Sequence, residues 1–298
     1  MKSIEAQLAY PIRAIVGEGS LWDHANQCLL WVDILDHKIF SFDPKTGRNS
    51  GFDLGQDIGT VVLTESGLWA YADQNGVGFL DPETGKRTEG PKPELANPHI
   101  RFNDGKCDPR GTFWAGTMAY DCREGAGILY EFDASGGVKE KITNTTISNG
   151  LVWNGDGTKF YFIDSMTYEV HCYDYDSKTG NIQNKKVVAC IDKAMGLPDG
   201  MAIDAEDFLW VALFDGSKVV RVNPQNGEIV FQVVLPVPKV TSCAFGGSDL
   251  DELYITTACY LMDADQLDKY PLSGSLFKVK LPYKGVLPYK MNDLNTNS

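Results

Sequence analysis

Residues 101–116 read RFNDGKCDPRGTFWAG, and this stretch decides how the rest of the chain is interpreted. Its Asn103-Asp104-Gly105 core has the composition of an ordinary tight turn. An arginine precedes that core, however, and a Gly-aromatic run with the character of a strand follows it. Asn103 is therefore either a turn residue or a polar side chain directed at a site, and the choice depends on whether the pattern recurs.

The aromatic strand at the end of this stretch recurs six times. Its shared aromatic is found, in order, at Trp31, Trp69, Trp114, Tyr161, Trp210 and Tyr254. A second series, of turn signals such as DPKTG and NPQNG, follows runs of alternating apolar residues and begins at Asp43, Asp81, Asp133, Asp176 and Asn223. By subtraction these starts lie 38, 52, 43 and 47 residues apart, which is the length of a unit of four short strands whose outer pair forms a hairpin. The sequence predicts an all-β fold, a six-bladed β-propeller of four antiparallel strands per blade, as a single domain over residues 1–298.

The two ends of the chain are expected to close the ring. A spare strand occupies roughly residues 4–16, and the chain ends with the strand-like run GSLFKVKLPYKGVLPY. Sharing one blade would remove the exposed sheet edges that separate ends would leave.

Four of the six repeats carry a polar residue 11 to 13 positions before the shared aromatic. These residues are Glu18, Asn103, Asn149 and Asp199. The other two repeats show only Gly59 and Ser242 nearby. Because the first strand of a propeller blade lines the central axis, residues up to 181 positions apart should converge at one end of the channel. We therefore interpret Asn103 as a strand-opening side chain directed at the axis.

Carboxylate and amide oxygens at one point suit Ca²⁺, Mg²⁺ or Mn²⁺, and Zn²⁺ also accepts carboxylates. Two carboxylates at one axis repel each other unless a cation or a shared proton relieves them. The alternative, in which each polar residue only caps a strand or turn, is weakened by the common register of all four.

Composition excludes several classes of function. The formal net charge of −13 argues against nucleic acid and anionic membranes as partners. Seven scattered cysteines without a CxxC pair indicate neither a zinc knuckle nor a disulfide framework, and together with the absence of an apolar leader they predict a cytoplasmic protein. Neither GxSxG nor a nucleophilic Cys/His pair is visible, which disfavours covalent acyl transfer.

At these residues the sequence resembles the regucalcin, gluconolactonase and luciferin-regenerating enzyme family. The matching stretches are GEGSLW, RFNDGK with DPRGTFWAGTM, ISNGLVW, YFIDS, PDGMAID and TSCAFGG. The resemblance implies a six-bladed propeller with one divalent cation (Ca, Zn, Mn or Mg) held by Glu18, Asn149 and Asp199. It also implies that Arg101, Asn103 and Asp121 face the substrate. The connection over residues 118–127 is shorter than in animal regucalcins, next to the substrate pocket.

Three functions follow as hypotheses. The first is cation-dependent hydrolysis of a sugar lactone, in which a metal-activated water attacks the ester carbonyl and Asp199 is the general base. The second is a calcium-binding regulatory protein without significant turnover, and the third is a protein-binding propeller. We expect a small-molecule lactone as the partner and a monomer or weak homo-oligomer as the assembly.

Other polar residues receive structural interpretations. Asp33 and Asp164 are predicted to support the fold, Asp104 to orient its neighbours, and His99 to serve in a loop or in packing.

Overall fold

The alternation of apolar side chains produces strands whose buried faces pack against each other. The computed structural model, which describes residues 2–93 and 99–294, arranges these strands in six sheets. Each sheet contains four antiparallel strands, and one sheet has a fifth strand on its outer edge. Each innermost strand contacts the innermost strand of the next sheet, the sixth contacting the first. The sheets therefore close a ring around a central axis, and the predicted six-bladed propeller is confirmed.

We number the blades in chain order and give their strands from the axis outward. Blade 1 consists of Gly17–Asp23, Cys28–Asp33, Lys38–Asp43 and Arg48–Asp53. Blade 2 consists of Ile58–Leu63, Trp69–Asp73, Gly76–Leu80 and Arg87–Glu89. Blade 3 consists of Ile100–Cys107, Phe113–Ala119, Gly127–Phe132 and Val138–Thr145. Blades 4 to 6 consist of Ser148–Trp153, Lys159–Asp164, Glu169–Tyr175 and Ile182–Cys190; Leu197–Ile203, Leu209–Phe214, Lys218–Val222 and Ile229–Val234; and Val240–Gly246, Glu252–Thr257, Leu276–Lys280 and Gln7–Tyr10.

Helical structure in the described chain is limited to connections. It comprises the α-helix Ala264–Lys269 and the 3₁₀ turns Ser165–Thr167 and Lys193–Met195. Among the described residues, none of these segments has the length and apolar character that a membrane-crossing helix requires.

The repeated aromatics and turns have the structural roles that their positions predicted. All six shared aromatics lie in the second strand of a blade and are buried between sheets. The DPKTG-type signals join the third strand to the fourth. In the first of them, the Asp43 carboxylate accepts the N–H of Lys45 at 2.8 Å and Gly47 adopts φ 72°, a backbone conformation that glycine tolerates best.

Asp33 and Asp164 support the fold, as predicted. Each is the last residue of the second strand of its blade, and its carboxylate accepts two backbone N–H groups from the segment that enters the innermost strand. Asp33 accepts from Val16 at 2.9 Å, among others, and Asp164 accepts from Thr146 at 2.9 Å and Ile147 at 3.0 Å. These bonds fix the entry of the chain into the axial channel.

The two chain ends do share a blade, but the predicted spare strand over residues 4–16 is wrong in its extent. Gln7–Tyr10 pairs antiparallel with Leu276–Lys280 and completes blade 6. Lys2–Glu5 instead forms a separate strand, parallel to Ile229–Val234, on the outer edge of blade 5. The N-terminal segment thus covers two neighbouring edges that would otherwise present unpaired backbone groups.

Candidate functional site

Every innermost strand contains a β-bulge close to its start. In the four blades that carry the predicted polar residues, three residues of the innermost strand advance against two of its partner. The shifts fall between Glu18 and Leu21, Phe102 and Gly105, Ser148 and Leu151, and Pro198 and Met201. A bulge turns a side chain out of the alternation of its strand. The extra residue therefore lets Glu18, Asn103, Asn149 and Asp199 leave the packed faces of their sheets.

The glycines that follow these residues permit neighbouring innermost strands to approach each other. A Cβ added at Gly150 would lie 2.6 Å from the Cβ of Met201 and 2.7 Å from the carbonyl oxygen of Asp199. One at Gly200 would lie 2.8 Å from the Oγ of Ser242. The missing side chains keep the ring tight, so the channel is narrow where the acidic residues meet.

Glu18 and Asp199 come together in this narrow region. Their side chains are buried, with 4% and 7% of each residue exposed, and their carboxyl groups hydrogen-bond to each other. Burial, followed by the charge of Asp104, raises the pKa of Glu18 to about 8. Burial, followed by the charges of Glu18 and Asp104, raises the pKa of Asp199 well above its usual range. The pair therefore holds a proton where two isolated carboxylates would both be ionised.

Asn149 supplies an amide oxygen with no protein partner. Its Nδ2 donates to the Oγ of Ser165 at 3.1 Å, and its side chain acts to lower the pKa of Asp199. In the described structure its Oδ1 is buried without a hydrogen-bond partner. Such an orphaned lone pair normally costs about 1–3 kcal/mol, so the position favours a ligand that accepts electron density from oxygen.

Asp104, which was predicted only to orient its neighbours, contributes a third buried carboxyl to this region. Its Oδ1 accepts the N–H of Gly105 at 2.7 Å, whereas its Oδ2 is buried without a partner among the described residues. Burial raises the pKa of Asp104, and the ammonium group of Lys106 opposes that rise. The signal was available in the sequence, because Asp104 lies inside the same bulge as Asn103.

The oxygen atoms of this region fit a divalent cation. In residues 2–93 and 99–294, no three His, Cys, Asp or Glu side chains are arranged to hold a metal ion by themselves. A cation would therefore require the amide oxygen of Asn149 beside the carboxylates of Glu18 and Asp199. Hard oxygen donors of this type suit Ca²⁺, Mg²⁺ and Mn²⁺.

Arg101 and Asn103 form a connected pair at the edge of the same region. Arg101 Nη1 donates to the Oδ1 of Asn103 at 2.8 Å and to the carbonyl oxygen of Phe102 at 2.9 Å. Asn103 Nδ2 donates to the carbonyl oxygen of Ser148 at 2.9 Å and so links blades 3 and 4. Burial lowers the pKa of Arg101 from its usual value, but an arginine remains charged at neutral pH. The pair presents a fixed donor group next to the carboxyls.

Tyr120 lies beside this pair and was not identified from the sequence. The Cζ of Arg101 lies 6.0 Å from the centre of its ring, and its hydroxyl donates to Asp57 Oδ2 at 2.5 Å. Burial and the hydrogen bond to Asp57 raise the pKa of Tyr120 to about 12. No short motif marks Tyr120 in the sequence, because its position depends on contacts between blades 2 and 3.

The structure does not bring Asp121 into this group. Its side chain is exposed and accepts the backbone N–H of Arg123 at 3.2 Å, within the turn that follows blade 3's second strand. His99 is exposed, and its carbonyl oxygen accepts the N–H of Tyr120 at 3.0 Å.

A family model described as SMP-30/Gluconolactonase/LRE-like region matches residues 16–259. The chain belongs to this family. Within it, regucalcin of Xenopus laevis is 37% identical over 294 residues, covering 97% of this chain and 98% of the relative. The sugar lactone lactonase candidate YvrE of Bacillus subtilis (strain 168) is 35% identical over 285 residues, covering 96% and 98%. A calcium-binding protein, regucalcin, from Agrobacterium tumefaciens str. C58 has a similar crystal structure, with a TM-score of 0.92 at 26% identity and coverage of 97% and 99%.

Proposed function

We propose that this protein is a divalent-cation-dependent hydrolase that opens sugar lactones. The observation that carries the proposal is the buried meeting of Glu18 and Asp199 beside the unpartnered Oδ1 of Asn149. The family and its gluconolactonase and lactonase members support the reaction class.

Each residue has a distinct part in the proposed reaction. Glu18, Asn149 and Asp199 would hold the cation, which polarises the ester carbonyl and increases the acidity of water. Asp199 takes a proton from the attacking water, because one of its oxygens can remain a ligand while the other accepts the proton. The water oxygen then bonds to the acyl carbon, the bond from that carbon to the ring oxygen breaks, and the ring oxygen receives the proton from Asp199 and becomes a hydroxyl.

Arg101 and Asn103 would orient the substrate. Their hydrogen bonds to each other and to the backbone hold both side chains in place before substrate binds, which lowers the entropic cost of orienting the sugar hydroxyls. Asp121 would contact substrate from the exposed rim.

The direct test compares Asp199→Asn with the wild-type protein. Initial rates of glucono-1,5-lactone opening above the spontaneous rate are followed by proton release, after chelation and after addition of Ca²⁺, Mg²⁺, Mn²⁺ or Zn²⁺. Removal of a general base lowers kcat by about 10²–10⁴-fold, so this loss is expected in Asp199→Asn. Asp133→Asn, in an exposed turn of blade 3, is the matched control and should retain full activity. Turnover that survives chelation, or that persists in Asp199→Asn, would contradict the proposal.

Asn103→Ala separates substrate binding from cation binding. We expect KM to rise while the calcium affinity, measured by isothermal titration, stays within about twofold. Loss of calcium binding would instead make Asn103 a ligand.

The second candidate is a calcium-binding regulatory protein, favoured by the regucalcins among the relatives. The same three residues would serve this role. Calcium binding that disappears in Asp199→Asn, together with no turnover across a panel of sugar and aromatic lactones in any of the four metals, would support it over the hydrolase.

A further inference from the structure

The axial channel contains a cavity at the end opposite to the carboxyl groups of Glu18 and Asp199. It has a volume of about 80 Å³ and is lined by the later halves of five innermost strands, which contribute Trp22, Lys106, Trp153, Ile203 and Phe245, and by Leu287 of the C-terminal segment. Trp22 follows Glu18 by four residues in one strand, a separation of about 13 Å at 3.3 Å per residue. The cavity is therefore distinct from the proposed hydrolase site.

The lining of this cavity changes from polar to apolar along the axis. Lys106 and Ser20 lie nearest to the carboxyls, only two residues after Asp104 and Glu18 in their strands. Lys106 Nζ donates to the carbonyl oxygen of Met201 at 2.8 Å, and an ammonium group has two further N–H donors. Beyond them the walls are aromatic and aliphatic.

Two indole groups of the lining also lack acceptors. Trp22 and Trp153 are 1% and 4% exposed, and within the described chain the Nε1–H of each is buried without a hydrogen-bond partner. Each Nε1 has almost no accessible surface, and the two side chains pack in separate clusters between blades, so neither N–H is available to a molecule in the cavity. The cavity therefore offers the ammonium donors of Lys106 beside apolar walls, a combination that matches a molecule with an oxygen acceptor on a hydrocarbon body.

The C-terminal segment covers the mouth of the cavity. Gly285 donates its N–H to the carbonyl oxygen of Leu250 and Met291 donates to Leu63, both at 2.8 Å, so the segment crosses from blade 6 to blade 2. Between these anchors, Leu287 lines the cavity and is nevertheless 52% exposed. An aliphatic side chain at the mouth of an apolar cavity gains burial when a hydrocarbon chain lies beneath it.

We propose that this cavity binds a small aliphatic molecule with a single oxygen-bearing head group, such as a short-chain carboxylate or alcohol. The head group lies against Lys106, and the hydrocarbon chain extends toward Leu287. The volume is several times the roughly 10–15 Å³ that one water molecule needs, so the head and first carbons are enclosed while a longer chain emerges at the mouth.

The test uses hexanoate and 1-hexanol as probes of the full-length protein. Binding is measured by saturation-transfer NMR and by the change in tryptophan fluorescence, both with chelator and with calcium, so that its outcome is independent of lactone hydrolysis. The ammonium group of Lys106 favours the charged head of hexanoate, whereas the nearby carboxyl groups repel that charge and favour the neutral 1-hexanol. Binding of either probe supports the site. Hexane-1,6-diol, which is polar at both ends, should bind at least tenfold more weakly than the better probe.

Two variants locate the binding. Ala202→Leu fills the cavity and should weaken binding at least tenfold, and Lys106→Met provides a second variant if Ala202→Leu does not fold. Leu261→Ser removes a leucine that is 78% exposed elsewhere and should leave affinity within about twofold. The proposal is overturned if neither probe binds, which would mean that water alone occupies the cavity. It is also overturned if binding is unchanged in every folded cavity variant.

Discussion

Replacing Glu18 by glutamine should stabilise the protein in the presence of excess chelator. The same substitution should abolish the gain in stability that added calcium gives. Glutamine keeps the shape of the side chain and an acceptor for the N–H of Gly19, which lies 2.8 Å from Oε2 of Glu18. It removes a negative charge from the pair with Asp199 and supplies an amide donor to that carboxylate. The variant therefore relieves the repulsion that a cation would otherwise relieve.

The magnitude follows from the pKa of Glu18, which rises from 4.5 to about 8 in the folded chain. Below pH 4.5 the carboxyl is protonated in both the folded and unfolded states, and the folded state has no penalty. As pH rises from 4.5 toward 8, the unfolded state ionises first, so stability falls by up to about 1.4 kcal/mol per pH unit. At pH 7 the loss is about 3 kcal/mol, which corresponds to about 5 °C in Tm for a chain of this length.

Differential scanning calorimetry in excess chelator at pH 5 and pH 7 measures this effect. Glu18→Gln should melt about 5 °C above wild type at pH 7 and within about 2 °C of it at pH 5. Calcium at 100 times its dissociation constant should stabilise wild type by about 2.7 kcal/mol and leave the variant unchanged. Glu83→Gln, at an exposed glutamate of the Asp81 turn, controls for the loss of one negative charge.

If, in excess chelator at pH 7, the Tm of Glu18→Gln is equal to or below the Tm of wild type, the explanation is refuted. A difference in Tm between Glu18→Gln and wild type that does not increase from pH 5 to pH 7 would refute it as well, since the loss of stability arises from ionisation of Glu18.

Three further predictions concern the scaffold. Asp164→Ala leaves a buried and a half-buried backbone N–H without their acceptor and should lower the free energy of unfolding by about 2–4 kcal/mol, measured by urea denaturation. Asp133→Ala, in a turn where water can replace the lost acceptor, should lose no more than about 1 kcal/mol, and equal losses would remove the special role of Asp164. Gly150→Ala places a Cβ 2.6 Å from that of Met201 and should reduce both Tm and lactone turnover; an unaffected Tm would show that the ring relaxes without strain. Deletion of residues 2–10 uncovers the outer edges of blades 5 and 6 and should produce association detectable by light scattering, whereas a monodisperse, equally stable product would contradict the closing role of this segment.

The family comparison and the candidate site carry different weight for function. Family membership accounts for the fold and for the class of reaction that we propose, whereas the buried carboxyls and the unpartnered amide oxygen are the reasons for proposing a cation. The cavity beside Lys106 follows from neither the family nor the carboxyl groups, because it depends on the opposite end of the channel and on the C-terminal segment.

By itself, the sequence determined the number of blades and the candidate residues at the axis. Period-two alternation, the shared aromatics and turns such as that at Asp43 act over a few residues, so they can be recognised without knowing how distant segments meet. Register alone was sufficient to place Glu18, Asn149 and Asp199 in equivalent positions.

Only the tertiary structure decided how those positions behave. The bulges that release Glu18 and Asp199 from their sheets depend on pairing with a second strand, and their raised pKa values depend on closure of a ring across 181 positions. The same closure divided the N-terminal segment between two blades, kept Asp121 at the exposed rim and placed Asp104 beside the carboxyl pair. Burial and the separation of charges are properties of the assembled ring, and no local pattern encodes them.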